Sequence, residues 1–162
     1  MEPLRLDYRG VEVCELPPNG QGAAALLALA LYDGLEPGLH SQLEAMKLAL
    51  ADTYAAVHDG PLPGDFLAAD RLAARRALVR SDVALDPPGY EPPRGGTTYL
   101  CVVDGEGTAV SLIQSVYETF GSGVVPEGTG IVLQNRGACF VEADGHPNRL
   151  APGRRPFHTI IP

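Results

Sequence analysis

The feature that most constrains this chain is a change of hydrophobic period across one proline- and glycine-rich stretch, residues 81–96. Before this stretch, apolar residues recur every three or four positions, which is typical of helices. After it they follow a period of two in runs rich in β-branched residues, which is typical of strands. We therefore expect an α+β chain in three parts: a strand and helices over residues 1–80, a linker over 81–96 and a β-rich region over 97–162.

Two kinds of helix are predicted in the first part. Residues 22–32 are apolar all round, so this helix should be buried on every side. In residues 38–58, apolar residues recur at steps of three and four and form a stripe on one face, with charged residues on the other, which predicts an amphipathic helix. The stripe consists of Leu39, Leu43, Met46, Leu50, Tyr54 and Val57, and the expected solvent side carries Glu44, Lys47 and Asp52. A strand over Val11–Leu16 precedes both helices.

A third helix, around Leu67–Val79, is rich in arginine. The set consists of Arg71, Arg75, Arg76 and Arg80. We expect these side chains to form a solvated face of the helix, and a binding patch is the alternative.

Charge and hydropathy argue against two classes of partner. The chain has 12 basic and 20 acidic side chains and a formal net charge of −8, and it has no basic run. This balance argues against nucleic acid and against an anionic membrane surface. No stretch reaches the roughly 18 apolar residues of a membrane span. The apolar run at residues 23–31 follows a strand and a turn rather than a basic leader, so we expect a cytoplasmic protein without a signal peptide.

The cysteine and histidine spacings predict neither a disulfide framework nor a metal site. Cys14, Cys101 and Cys139 are far apart, and we expect buried free thiols. The four histidines show no metal-ligand spacing. The sequence also lacks the motifs GxxxxGK[ST], HExxH and GxSxG. We therefore expect no metal and no cofactor.

A β-hairpin is predicted directly after the linker. Strands over Thr97–Val103 and Thr108–Val116 flank a glycine-containing turn. If the turn is tight, the register places Thr97 opposite Ser115, with Cβ atoms about 5 Å apart. The first strand is apolar on both faces, so it should be buried between two layers. A further strand is expected at Gly130–Leu133.

A threonine that follows two glycines at the start of a strand can act as a nucleophile if a base lies beside its hydroxyl. Its hydroxyl is a poor nucleophile until a base removes the proton. If the chain were cut between Gly96 and Thr97, the new α-amino group, with a pKa of about 8, could act as that base. An ordinary loop before a strand is the alternative reading of the same residues.

The residues around this junction also form a recognisable set of motifs. They are Thr97–Asp104, Gly107, Ala109-Val110, Phe120–Gly123 and Gly130-Ile131. Together they resemble the γ-glutamyltransferase (γ-glutamyltranspeptidase) family of N-terminal-nucleophile hydrolases. Residues 43–52 and the turn at 17–22 are similar to the end of that family's large subunit, and residues 154–157 to its later basic-proline motif. The resemblance covers nearly the whole chain.

The resemblance implies a four-layer αββα fold, of which the chain would be a part, incomplete at both ends. It also implies a proenzyme that cuts itself between Gly96 and Thr97, with Thr97 then serving as nucleophile and, through its amine, as base. Ser115 matches a hydroxyl that supports the nucleophile. The two cleaved parts would associate as a heterodimer that acts on a small-molecule amide. An arginine that grips the substrate carboxylate would lie before residue 1, and a Gly-Gly oxyanion hole after residue 162.

Several positions depart from the family pattern. Tyr117, Arg136 and Cys139 stand where γ-glutamyltransferases hold the substrate's α-amino group with Asn, Gln and Asp, and His158-Thr159 stands where a serine pair contacts the α-carboxylate. Arg136 is a permanent cation with only donors, so this site should repel an ammonium group and favour a carboxylate or a carbonyl. A structural ion pair made by Arg136 is the alternative.

The segments around these positions resemble one branch of the family. Residues 133–137, 146–153 and 156–162 are similar to cephalosporin-acylase-like and oxamate-amidohydrolase-like members. We therefore expect an autoprocessing amide hydrolase that acts on carboxylate-bearing acyl amides. The alternatives are a genuine γ-glutamyltransferase that hydrolyses glutathione, and an inactive fragment that lacks the oxyanion hole.

Overall fold

A computed structural model of the chain describes residues 2–87 and 97–160. The elements, in chain order, are β1 (Leu4–Tyr8), β2 (Val11–Glu15), α1 (Gly22–Tyr32), α2 (Leu39–Ala56), α3 (Ala69–Arg76), β3 (Thr97–Val103), β4 (Ala109–Ser115) and a short 3₁₀ helix, Arg136–Cys139. The chain divides into a first unit, Met1–Glu91 with Cys139–Pro162, and a second unit, Pro92–Ala138. The end of the expected linker, including Gly96, lies outside the described residues.

The core of the first unit is built on helix α1. Leu26, Leu27 and Leu31 are completely buried. Ala25, Leu29 and Tyr32 are half-buried, so α1 is enclosed on most sides rather than on every side as predicted. Helix α1 packs against α2, where Ala45 and Ala49 are buried and let the two helices approach closely. Within the described part of the chain, no helix is both long enough and apolar enough to cross a membrane.

An N-terminal hairpin was not predicted from the sequence. Strand β1 pairs with β2 in an antiparallel register from Leu4 opposite Glu15 to Tyr8 opposite Val11. The two residues between the strands, Arg9 and Gly10, both have positive φ angles, 55° and 81°. A two-residue turn of this kind matches the twist of the strands, but it usually carries Asn or Asp where this chain has Arg9.

Only the second half of the predicted apolar stripe of α2 is covered: Leu50 and Val57 are buried and Tyr54 is half-buried. Leu39, Leu43 and Met46 are exposed, whereas Glu44 and Asp52 are almost completely buried. Buried carboxylates are tolerated only when they are paired and hydrogen-bonded, and both of these are. The expectation that Glu44 and Asp52 face solvent was therefore wrong, because the sequence pattern does not show that partners for them lie elsewhere in the chain.

The partners of Asp52 are arginines of α3. The predicted solvated face was therefore wrong for Arg71, Arg75 and Arg76. Arg80 lies beyond the end of α3 and is exposed, as predicted. Arg71 Nη2 and Arg75 Nε donate to the Asp52 carboxylate over 3.1 and 2.9 Å, and Arg75 Nη2 donates to its second oxygen. Arg76 donates to the carbonyls of Ala30 and Leu31 at the end of α1. These bonds hold α3 against both longer helices, because each joins two different elements.

Glu44 provides a pH-dependent contribution to stability. Burial by itself raises the pKa of its carboxyl, but hydrogen bonds from Lys47 Nζ (2.9 Å) and the Leu85 amide (2.7 Å) outweigh burial, so the pKa is lowered from 4.5. Its stabilising effect is therefore complete at neutral pH and is lost as pH falls through the lowered folded-state pKa. We expect Glu44→Gln to lower the thermal unfolding midpoint at pH 7, and the difference from wild type to shrink below pH of about 4.

A matched control for this prediction is Glu127→Gln, since Glu127 is exposed. Thermal unfolding of the three proteins between pH 3 and 7 provides the measurement. The control should follow the wild type at every pH. A constant difference between Glu44→Gln and wild type across this range would contradict the assigned role of the Glu44 carboxylate.

The second unit contains the predicted hairpin. Strand β3 begins at Thr97 and pairs with β4 in antiparallel register, with Thr97 opposite Ser115, as predicted. The prediction that β3 is buried on both faces was wrong for this chain, because Tyr99, Leu100 and Val102 are all exposed and β3 and β4 form a two-stranded sheet. Apolar strand residues require a second layer for burial, and the described residues do not cover them.

Two further expectations were wrong. Residues 130–133 do not form a strand; Leu133 instead exchanges backbone hydrogen bonds with Ser122 and Val124 in a loop (2.8 and 2.9 Å). Cys14 and Cys101 are exposed rather than buried, because each lies on a two-stranded hairpin, and Cys139 is half-buried. Among the described residues, the thiols of Cys14 and Cys101 form no disulfide.

Candidate active site

The start of β3 brings two hydroxyl groups together. Thr97 and Ser115 are directly opposite each other, and the Thr97 Oγ1 and Ser115 Oγ atoms lie 3.0 Å apart. Thr97 is exposed and Ser115 is half-buried. Two hydroxyl oxygens at this separation form a direct hydrogen bond, which orients the Thr97 hydroxyl.

The register of this pair is fixed by the turn at the other end of the hairpin. Asp104 Oδ1 accepts hydrogen bonds from the amides of Glu106 and Thr108, both at 2.9 Å, and these bonds lower the pKa of the Asp104 carboxyl. Gly107 has a φ angle of 86°, which a residue with a side chain rarely adopts. A slip of one residue would turn every side chain to the opposite face, so the turn determines that Thr97 meets Ser115.

The Ser115 Oγ atom accepts hydrogen bonds from two other groups. The amide of Tyr117 donates to Ser115 Oγ over 3.0 Å, in the local turn that serine favours, and Arg136 Nη2 donates to it over 3.3 Å. Tyr117 adopts a φ angle of 75°, which is strained for a residue with a side chain. Such strain is most often found at functional sites.

Arg136 is held beside this hydroxyl by its neighbours. Its side chain is mostly buried, with the residue 8% exposed, and its guanidinium lies over the Tyr117 ring, 5.3 Å from the ring centroid. The preceding residue, Asn135, ties the segment to the end of β4: its amide donates to the Val116 carbonyl and its side chain bonds Glu118. Sequence reasoning gave no role to Asn135 or Glu118, although Asn135 lies in the segment 133–137 that resembles one branch of the family. Only the loop geometry brings the two side chains together.

The predicted site residues fall into two groups. The structure brings together Thr97, Ser115, Tyr117 and Arg136 in the second unit. The remaining residues, Cys139, His158 and Thr159, belong to the first unit, and Gly96 lies outside the described residues.

Local hydrogen bonds place two of the first-unit residues. The Cys139 carbonyl accepts a bond from the Asn148 side chain over 2.7 Å. His158 donates its amide to the Asn19 carbonyl, and its Nδ1 accepts from the Ile160 amide. Among the described residues, no three His, Cys, Asp or Glu side chains are grouped so that they could hold a metal ion.

The basic-proline motif has a structural contact of its own. Arg155 Nε and its amide donate to the two oxygens of Asp59 over 2.9 and 3.0 Å. These bonds raise the pKa of the Arg155 guanidinium and lower that of the Asp59 carboxyl. The pair lines a shallow cavity of about 260 Å³ whose other walls are Pro17, Pro18, Gly60 and Pro61. The motif thus joins the C-terminal segment to the turn after α2.

Comparison with solved structures defines the class of protein. The chain matches the crystal structure of cephalosporin acylase from Bacillus halodurans with a TM-score of 0.81 and 43% sequence identity. The match covers 98% of this chain and 31% of the acylase chain. The chain therefore has part of the fold of an acylase in the N-terminal-nucleophile hydrolase class.

Sequence comparison then identifies the family. The family model described as gamma-glutamyltranspeptidase matches residues 1–162, so this chain belongs to the γ-glutamyltranspeptidase family. It is 38% identical over 172 residues both to the glutathione hydrolase-like YwrD proenzyme of Bacillus subtilis and to the oxamate amidohydrolase proenzyme of Klebsiella pneumoniae. Each match covers 99% of this chain and 33% or 32% of the relative. The chain thus spans about a third of the length of these relatives.

Proposed function

We propose that this chain carries the self-cleavage junction and the nucleophile of an autoprocessing amide hydrolase. The observation that carries the proposal is the 3.0 Å pair of Thr97 Oγ1 and Ser115 Oγ at the first residue of β3. Support comes from the relatives, because the proteins from B. subtilis and K. pneumoniae are both named as proenzymes. The Gly-Gly sequence before Thr97 suits a cut, since it lets the chain approach the hydroxyl without a side chain in the way.

The self-cleavage step uses groups on both sides of one peptide bond. Thr97 Oγ1 bonds to the carbonyl carbon of Gly96, the bond from that carbon to the Thr97 nitrogen breaks, and the hydroxyl proton ends on the freed amine. Water then hydrolyses the resulting ester, which leaves a carboxylate on Gly96 and restores the Thr97 hydroxyl. The two parts of the chain stay associated as a heterodimer in this proposal.

The mature site would act on an external amide in the same manner. An α-amino group ordinarily has a pKa of about 8, so a useful fraction of such groups is neutral near physiological pH. The new α-amino group of Thr97 would in this way take the hydroxyl proton. Thr97 Oγ1 attacks the substrate carbonyl, the protonated amine passes its proton to the leaving amine, and water releases the acyl group as an acid. No cofactor takes part in any of these steps.

The substrate class follows from the charge beside the nucleophile. Arg136 brings a buried cation within hydrogen-bond reach of Ser115, and its stacking on Tyr117 orients the plane of the guanidinium. A substrate ammonium near this group would be repelled, whereas a carboxylate would be attracted. We therefore propose carboxylate-bearing acyl amides as substrates. Cys139, His158 and Thr159 are the remaining proposed contacts, carried over from the family pattern.

A substrate panel tests this assignment in the protein expressed from the complete reading frame. We expect the enzyme to hydrolyse glutaryl amides and oxamate with higher kcat/KM values than γ-glutamyl anilide. Arg136→Gln restores the amide that the family uses for the substrate's amino group, so it should shift the glutaryl-to-glutamyl ratio of kcat/KM toward glutamyl by about 10-fold or more. The matched control is Arg149→Gln, since Arg149 is an exposed arginine paired with Asp144.

The outcomes separate the candidate functions. Preferential turnover of γ-glutamyl anilide by the wild type would contradict the carboxylate assignment and leave a γ-glutamyl hydrolase. If the protein is cut between Gly96 and Thr97 but the glutaryl-to-glutamyl ratio of kcat/KM is unchanged in Arg136→Gln, residues other than Arg136 determine the specificity. An uncut wild-type chain with no hydrolysis of any amide would contradict the proposed function as a whole.

A further inference from the structure

The Ser115 hydroxyl has three hydrogen-bonding neighbours among the described residues. They are the Tyr117 amide at 3.0 Å, Arg136 Nη2 at 3.3 Å and Thr97 Oγ1 at 3.0 Å. Two of these neighbours can only donate, because neither a backbone amide nor a guanidinium has an acceptor. The third, the threonine hydroxyl, can donate or accept.

The capacity of a serine hydroxyl decides the direction of the third bond. Ser115 Oγ has two lone pairs and one hydrogen. The Tyr117 amide and Arg136 occupy both lone pairs, so the hydrogen of Ser115 is directed to Thr97 Oγ1. The opposite arrangement would place three donors on two lone pairs and leave the Ser115 hydrogen without an acceptor among these groups.

We infer that Arg136 is a positioning residue for the nucleophile, which acts through Ser115 by fixing the direction of the Ser115–Thr97 hydrogen bond. The inference rests on the proposed function, because it takes Thr97 Oγ1 as the attacking atom. A donated hydrogen from Ser115 stabilises the negative charge that develops on Thr97 Oγ1 when its proton leaves. It also keeps the threonine's own hydrogen available to a base, since that hydrogen is not bonded to Ser115.

Burial makes this effect of Arg136 larger than that of a surface arginine. The residue is 8% exposed, so solvent and salt screen its charge weakly. A cation bonded to the Ser115 oxygen polarises the hydroxyl and makes it a stronger donor. The strained backbone at Tyr117, with a φ angle of 75°, is consistent with a turn that is held in place to keep its amide on Ser115.

This role differs from substrate recognition and can be measured separately. Self-cleavage uses the same Thr97 oxygen but needs no external substrate. A residue that only binds a substrate carboxylate would leave the rate of self-cleavage unchanged. A residue that directs the Ser115 hydrogen would change the rates of self-cleavage and of hydrolysis together.

The test is a double-mutant cycle that measures the rate of self-cleavage in the complete protein. Mass spectrometry detects the fragments that end at Gly96 and begin at Thr97. Arg136→Met should slow cleavage by about 10-fold or more, and Arg136→Lys, which keeps the charge, by only about 3-fold. In a Ser115→Ala background, Arg136→Met should add less than about a 2-fold loss, because the group through which it acts is gone. Arg149→Met is the control for removing an exposed arginine.

Two results of this cycle would overturn the inference: wild-type cleavage rates in Arg136→Met, or an equal loss from Arg136→Met with and without Ser115. A neutron structure of the wild-type protein provides a readout that needs neither activity nor a variant. A deuterium bonded to Ser115 Oγ and pointing at Thr97 supports the inference, and one bonded to Thr97 and pointing at Ser115 overturns it. An uncut wild type would contradict the proposed function, and the neutron result would still decide the direction of the bond.

Discussion

Replacing Thr97 with alanine in the complete protein should leave a single uncut chain that has lost amide hydrolysis by at least about 10³-fold. The reason is that one oxygen, Thr97 Oγ1, is proposed to attack both the Gly96 carbonyl and the substrate. The Ser115 hydroxyl, 3.0 Å away, cannot replace it, because it lies on the neighbouring strand with no free α-amino group beside it. Intact-mass measurement checks the cut, and turnover of the preferred amide checks the hydrolysis.

Two matched variants make this result specific to the hydroxyl. Thr98→Ala removes a threonine hydroxyl from the next position of the same strand, where Thr98 is paired with Gln114, and should be cut and active like the wild type. Thr97→Ser keeps a hydroxyl at the same place and should be cut more slowly but completely. Fragments that begin at residue 97 in Thr97→Ala would show that another group performs the cleavage, and the Thr97 assignment would then be wrong.

The part of the site that lies within the hairpin was predictable from the sequence. A strand has a period of two and a short turn has few geometries, so the glycine-containing turn was enough to place Thr97 opposite Ser115. The contact of Arg136 with Ser115 was not predictable from spacing. It depends on the Asn135 amide bonding the Val116 carbonyl, a loop contact that leaves no periodic pattern in the sequence.

The first unit shows where pattern reasoning failed and why. The rule that charged residues face solvent assigned Glu44 and Asp52 to the wrong side of α2, although the helix itself was predicted. A carboxylate can be buried when the fold places an arginine or a backbone amide from a distant part of the chain beside it. A single sequence does not show which residue will be that partner. The exposed apolar residues of β3 show the reverse error, since an apolar strand is buried only where another layer covers it.

The pairing of Asp52 with two arginines leads to the largest expected effect on stability. Asp52→Ala removes the acceptor for Arg71 Nη2 and for the Nε and Nη2 atoms of Arg75. Arg75 would lose its carboxylate partner, and Arg71 would keep only the longer contact of its Nη1 with Asp65, at 3.8 Å. Breaking a buried ion pair from one side costs about 3–5 kcal/mol, and we expect about 3 because the arginine side chains are 26% and 37% exposed. For the 162 residues of this chain, the thermal unfolding midpoint should fall on the order of 5–10 °C.

Comparison with an exposed ion pair shows whether burial is the reason for the large loss of stability expected in Asp52→Ala. Asp82→Ala breaks the ion pair with Arg80, whose side chains are 64% and 65% exposed, and should change the midpoint by no more than about 2 °C. Asp52→Asn keeps the volume of the side chain but not its charge, so it should be destabilised nearly as much as Asp52→Ala. If Asp52→Asn instead unfolds at the wild-type temperature, the charge of Asp52 contributes nothing to stability. Helix α3 would then be held by apolar packing and by the bonds of Arg76 to α1, which neither Asp52 variant removes.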